Sequence, residues 1–186
     1  DQAKTFDITS LREIICCSEP LLKFTYDQFL EHFDDMLPKN KVTINNCYAM
    51  AENTFAVTST EAGVSFLCVD YQFLKKEKRV SLDQDGYYIA SCGKPLKNTS
   101  VRIMSESGEV LAEGTVGEVV IQSNSLVKGY FKNPEASLDV FKDGWYYTGD
   151  LGFLWRGELY VTGREKEVII VGGENIYPQD IETIIN

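Results

Sequence analysis

The sequence predicts an α+β chain: the end of an α/β layer, then a small antiparallel β-barrel, then a closing strand and helix start. Two observations carry this. A strand–helix–strand pattern fills the first 50 residues, which implies a parallel sheet edge. After residue 90 short apolar runs alternate with glycine-bearing turns, which implies closely spaced hairpins folded into a small barrel or sandwich.

"LREIICC" (Leu11–Cys17) is a short apolar run entering Ser-Glu-Pro, and reads as a buried strand running into a loop. Leu22, Tyr26, Phe29, Leu30, Phe33 and Leu37 then recur at helical spacing, with Thr25 and Gln28 spaced as a capping box and Pro38 as punctuation. "KVTINNCYAM" (Lys41–Met50) is the second strand. From Gly63 the pattern changes: Phe66–Ala90 is mixed and charged, with a basic cluster at Lys75, Lys76, Lys78 and Arg79. Beyond it "SVRIMSESGEVLAEG" reads as a hairpin around Glu106-Ser107-Gly108 and "GEVVIQS" as a strand. "LGFLWRGELYVTG" reads as a hairpin around Trp155-Arg156-Gly157. "EVIIVGG" is a last strand, and "YPQDIETIIN" starts a helix with Pro178 suited to its first turn.

Composition bounds the function. The 186 residues carry 28 acidic and 18 basic side chains, a net charge of −10, which argues against a nucleic-acid partner. It leaves room for a phosphate ligand held by backbone N–H groups or Mg²⁺. No apolar run is long enough for a membrane span. The opening "DQAKTFDITS" lacks the features of a signal peptide and reads as a cut inside a larger cytoplasmic protein. Five cysteines (Cys16, Cys17, Cys47, Cys68, Cys92) with no C-x-x-C pair and a single His32 speak against a zinc site; buried reduced thiols are the plainer reading.

Three short constellations bear chemistry. In "YAMAENT" (Tyr48–Thr54) a ring is followed four residues on by Glu52, a pairing that can stack a base and hold Mg²⁺ near phosphates; a core Tyr and a solvated Glu at a strand end fit as well. In "WYYTGDLG" (Trp145–Gly152) the two oxygens of Asp150 fit a ribose cis-diol; a plain T-G-D turn is the alternative. Gly172-Gly173 resemble a phosphate loop, but Glu174 follows where an anion site needs Lys and Ser or Thr, so a tight strand-to-helix turn is preferred.

The order Tyr48…Glu52, Thr148-Gly149-Asp150, then "GREKEVIIVGGENIYPQDIE" resembles the adenylate-forming (acyl-activating, AMP-binding) superfamily, from about Leu11 to the end. Within it the chain is most similar to fatty acyl-AMP ligases: "CSEPL" is similar to their G-A-E-P loop, "YAMAE" to Y-G-x-A-E and "NIYPQDIE" to N-x-Y-P-Q-D-I-E. The resemblance implies an internal fragment: residues 1–62 the last part of the large α/β domain, 63–90 an insertion-like segment where those ligases carry an insertion that restrains the C-terminal domain (an ordinary surface hairpin is the alternative), 91–163 the small barrel, 164–186 the hinge and the first strand and helix of the C-terminal domain.

It also implies roles. Ser18 and Glu19 would line the adenine and Tyr48 stack on it. Ala51 would stand at the phosphates, where relatives place a hydroxyl. Glu52, the catalytic residue, would hold Mg²⁺, Asp150 would take the ribose hydroxyls, Arg164 would reach ribose or phosphate, and Lys166 would be the hinge. The implied ligands are ATP and Mg²⁺, with a fatty acid as substrate and an acyl carrier protein or coenzyme A as acceptor. Ala49 replaces a usual glycine, costly if its φ is positive. The phosphate loop and the catalytic lysine that the resemblance implies are not among the 186 residues, so the chain is expected to be inactive alone. An acyl-CoA synthetase, a peptide-synthetase adenylation domain and a non-catalytic adenylation-like domain remain the alternatives.

Overall fold

The protein is described from a computed structural model covering residues 7–38, 42–167, 169–171, 174–176 and 181. Strand β1 (Glu13–Cys16) lies parallel to β2 (Thr43–Ala49), in register from Glu13 opposite Thr43 to Cys16 opposite Asn46. Parallel neighbours need a crossover, and helix α1 (Lys23–Phe33) lies within it. The expected capping box does not form: the helix starts at Lys23, two residues before Thr25, and no side chain caps it. Its first turn is held instead by Lys23 pairing with Asp27, 2.6 Å away and one turn on.

A 3-10 turn at Ala51–Asn53 reverses the chain into β3 (Ala56–Ser59), antiparallel to β2. Segment 63–90 is then an ordered unit: β4 (Phe66–Val69), helix α2 (Tyr71–Glu77) and β5 (Tyr87–Ala90), with β4 and β5 antiparallel. Asp70 caps α2 by accepting from Phe73 N at 2.9 Å, and Lys78 ends it in the left-handed region. This unit is built in rather than laid on the surface. Val69, Leu74 and Ile89 share a core with Val116, Phe153 and Tyr160, where the Phe153 and Tyr160 rings stack 5.1 Å apart. Val80 N donates to Gly114 O and Val116 N to Lys78 O, both at 2.8 Å.

Strand β6 (Lys94–Pro95) completes a sheet of order β1-β2-β3-β6. The second sheet runs β11-β10-β8-β7 from β7 (Thr99–Met104), β8 (Gly117–Ser123), β10 (Trp145–Trp155) and β11 (Glu158–Arg164). Helix α3 (Pro134–Val140) and the short β9 (Phe141–Lys142) precede β10, on whose edge β9 pairs. Both hairpin turns fall where expected. Gly108 has φ 82°. Arg156 and Gly157, at 54° and 77°, form the two-residue turn favoured by twisted strands.

The expected barrel is corrected to a curled, open half-barrel. The edge of β11 that closure requires is taken: Cys92 N donates to Leu159 O at 2.8 Å, and Leu159 N to Gly93 O at 2.9 Å. These bonds join the two sheets. Val57 of the first sheet accordingly packs with Ile103, Val119, Ile121, Tyr146 and Leu159 of the second.

The strand-to-helix turn at the glycines is also corrected. β12 (Ile169–Val171) is followed by β13 (Glu174–Ile176), which pairs back on it antiparallel, Ile169 opposite Ile176. The expected helix start at 177–180 and Gly172-Gly173 themselves lie outside the described residues. Among the described residues no helix is long and apolar enough to cross a membrane.

Candidate functional site

β10 carries the central feature. Thr148-Gly149-Asp150 is neither a plain strand nor a free turn: the register of β10 on β8 shifts between Tyr147 and Leu151. The buried Thr148 hydroxyl donates to Val119 O at 2.7 Å and accepts from Asp150 N at 3.0 Å. Gly149, at φ 72°, makes the left-handed step a side chain would strain, and its N–H donates to Glu118 at 3.0 Å. Thr, Gly and Asp thus have separate jobs: anchor, bend and presented carboxylate. Burial, partly countered by the Gly149 N–H, pushes the Glu118 carboxyl above the ordinary range.

Tyr48 and Arg164 are both partners of the Asp150 carboxylate. The Tyr48 hydroxyl donates to Oδ2, and Arg164 Nε lies 3.1 Å from Oδ1. Arg164 is opposite Asp150 in the β10–β11 ladder, so the hairpin register itself makes the pair. Asp150 is 18% exposed and Arg164 55%, so the carboxylate is sheltered while the guanidinium reaches outward. Burial first, and then the Asp150 charge, push the Tyr48 hydroxyl far above its ordinary value, so it stays a donor.

These residues line one cleft of about 360 Å³ together with Ser18, Glu19 and Pro20. Ser18, at φ 75°, turns the loop that leaves β1 toward it. The cleft therefore gathers Ser18, Glu19, Tyr48, Asp150 and Arg164 from positions as far apart as β1 and β11. Ala49 lies in β2 without a positive φ, so the missing glycine costs no backbone strain. Ala51 and Glu52 are not on the cleft wall. Glu52 sits beyond it on the 3-10 turn, where the Tyr130 hydroxyl donates to its Oε1 at 2.9 Å. Lys166 is exposed in a 3-10 turn (Glu165–Glu167) just after β11.

The cysteines are free thiols. Burial pushes Cys92 up to about 12, and burial with the neighbouring Cys17 pushes Cys47 up to about 11, so neither is a nucleophile at neutral pH. Tyr130, Tyr146 and Glu118 are neighbours of the site that sequence reading does not reach. Each touches a site residue only through the fold, 78 positions away for Tyr130 and Glu52.

Among the described residues no three His, Cys, Asp or Glu side chains cluster as a metal cage. Mg²⁺ uses one or two carboxylates and completes its shell with water and phosphate oxygens, so Glu52 fits an ion shared with a nucleotide.

The model of the AMP-binding enzyme family matches residues 1–131. The chain belongs to the AMP-binding enzyme family. Its mixed α/β architecture with a curled antiparallel half-barrel is consistent with a fragment of an adenylate-forming domain. It is 32% identical to a 4-hydroxyphenylalkanoate adenylyltransferase of Mycobacterium tuberculosis, over all of this chain and 32% of that protein. A solved fatty acyl-adenylate ligase, from a study of the E. coli and L. pneumophila enzymes, superimposes with a TM-score of 0.87 at 36% identity, over 97% of this chain and 33% of that one. An O-succinylbenzoate coenzyme A synthetase from Bacillus subtilis, in complex with ATP and magnesium, has a TM-score of 0.68 at 27% identity, over 95% of this chain and 31% of that one. The chain thus spans about a third of the length of the proteins it matches.

Proposed function

We propose that this chain is part of an ATP-dependent fatty acyl-AMP ligase, which activates a fatty acid carboxylate as an acyl-adenylate and passes the acyl group to a carrier protein. The observation that carries the nucleotide reading is Asp150, presented by the Thr148-Gly149 bulge at the cleft between Tyr48 and Arg164. An ionised carboxylate is an acceptor-only group whose two oxygens suit the paired hydroxyls of a ribose. Tyr48 presents its ring to a base while its hydroxyl orients Asp150, and Ser18 and Glu19 line the adenine end. Arg164 reaches ribose or phosphate, and Ala51 stands at the phosphates.

In the reaction a carboxylate oxygen of the fatty acid attacks the α-phosphorus. That P–O bond forms as the bond to pyrophosphate breaks, and pyrophosphate leaves with the electron pair. Mg²⁺ held by Glu52 would supply neutralisation of the phosphate charge. The chain's own part is placement, which can account for much of the barrier in such in-line displacements. In this reading Lys166 is the pivot about which the segment after β11 turns.

The acyl-AMP branch is supported by segment 63–90. Helix α2 comes within 8 Å (Cα–Cα) of β13, so the unit expected to restrain the segment after the hinge lies against it. A coenzyme A acceptor is the second reading, favoured by the likeness to the coenzyme A synthetase.

The test uses the full-length protein. With fatty acid and ATP it should catalyse exchange of pyrophosphate into ATP, and Asp150→Asn should raise the KM for ATP at least tenfold, the loss of one charged contact. Wild-type ATP affinity in Asp150→Asn would reject the ribose reading. Equal rates of acyl-CoA and acyl-carrier formation would move the assignment to the second reading. The 186 residues alone are expected to form no acyl-AMP.

A further inference from the structure

We propose that Tyr130, backed by Tyr146, is a positioning residue for Glu52, holding that carboxylate in the geometry that receives the Mg²⁺ of the nucleotide. The inference rests on the reading of Glu52 as the ion's carboxylate. It goes beyond it by assigning a function to the loop between β8 and α3, which is otherwise outside the site.

The loop grips the 3-10 turn at three points. Val127 N donates to Glu52 O at 2.8 Å, the Thr54 hydroxyl to Ser125 O at 3.2 Å, and the Tyr130 hydroxyl to Glu52 Oε1 at 2.9 Å. Backbone and side chain of Glu52 are therefore both held by residues 127–130. Behind Tyr130 the hydroxyl of Tyr146 lies 3.2 Å from its own, and Tyr146 is 5% exposed in the core of the second sheet. The Phe141 ring touches both rings, at 6.4 Å from Tyr130 and 4.9 Å from Tyr146.

Chemistry gives this arrangement a direction. A long carboxylate on a short turn has several rotamers, and fixing one costs entropy each time an ion is bound. A hydroxyl donor on one oxygen fixes the rotamer in advance, and an ionised carboxylate still has lone pairs with which to meet an ion. Support of this kind around a metal-binding carboxylate is worth about 10- to 100-fold in affinity or activity.

Full-length protein is assayed by ATP–pyrophosphate exchange while Mg²⁺ is titrated at saturating ATP. Variants are Tyr130→Phe, Tyr146→Phe, Glu52→Gln and the Tyr130→Phe/Glu52→Gln double. The expected result is about a tenfold rise in half-saturating Mg²⁺ for Tyr130→Phe, a smaller rise for Tyr146→Phe, and an unchanged fatty acid KM. In the Glu52→Gln background the tyrosine change should add nothing, because the two act as a unit. A merely structural Tyr130 would lower the melting temperature equally in both backgrounds without moving the Mg²⁺ midpoint, and that result overturns the proposal. Loss of activity in Glu52→Gln with a wild-type Mg²⁺ midpoint in Tyr130→Phe sinks the positioning role alone. Full activity of Glu52→Gln rejects the Glu52 reading and the proposal with it.

Discussion

Thr148 shows how a single hydroxyl can set a site. It is 6% exposed, gives one hydrogen bond and takes another, and so ties the Asp150 backbone to β8. Thr148→Val keeps the shape and removes both bonds, leaving Val119 O and Asp150 N without this partner; a loss of about 2 kcal/mol is expected. Urea unfolding reads the stability, and the ATP KM of the full-length protein should rise with it, whereas Thr148→Ser should restore both. Glu118 offers a pH test. Its folded pKa lies above the ordinary 4.5, so the protonated form is favoured by folding. That contribution is complete below 4.5 and is lost as pH rises through the folded value. Glu118→Gln keeps an acceptor for Gly149 N without the charge. Its melting temperature should therefore gain on wild type as pH rises from 4 to 8, and a gain that shrinks over that range would contradict the assignment.

Strands were readable from the sequence because alternation and turn residues are local. β1, β2, β8 and the Arg156-Gly157 hairpin lie where patterning places them. Helices α2 and α3 were not read, since seven residues give fewer than two full turns of periodicity. The cap Asn133 and Pro134 at the first helical position of α3 were the available signal. Barrel closure was beyond reach because it depends on which strand edge meets which, and Cys92–Gly93 occupies that of β11. In the site, Tyr48, Asp150 and Arg164 were named through motif order, while their mutual contacts required the fold. Segment 63–90 illustrates the practical difference. Deleting it whole would remove Val69, Leu74 and Ile89 from a core, so that experiment reports on folding. Phe73 is 41% exposed on α2, outside that core. Phe73→Asp in the full-length protein should leave the unfolding free energy within about 0.5 kcal/mol of wild type. Acyl-CoA formation should rise if α2 restrains the segment after the hinge; no rise with intact acyl-AMP synthesis would remove that role from this face of α2.

The cleft lies where the two sheets meet. Its walls come from both: Tyr48 from β2, Asp150 from β10 and Arg164 from β11. One tight join between them is Gly93, whose carbonyl accepts from Leu159 N. Its N–H in turn donates to the Ser91 hydroxyl at 2.9 Å, and Ser91 also donates to Glu158 at 2.7 Å. Gly93 has φ 79°, and a Cβ there would meet Ser59 C and O at 2.0 Å and Thr60 N at 2.2 Å. Those are backbone atoms of the first sheet, so no side chain can swing aside. Either β3 moves away from β11 or the Cys92–Leu159 bonds break, and each route separates Tyr48 from Asp150. Gly93→Ala is therefore expected to cost about 4 kcal/mol, in the range of the most disruptive single substitutions. Nucleotide binding should be lost even where far-ultraviolet circular dichroism still shows native secondary structure. Gly157→Ala is the control: it also has a positive φ, but a Cβ there has no neighbour within 4 Å. It should cost only the turn strain, about 1 kcal/mol, and leave nucleotide affinity unchanged. If both variants lost the same stability and both kept their nucleotide, the join at Gly93 would not be what holds the cleft together.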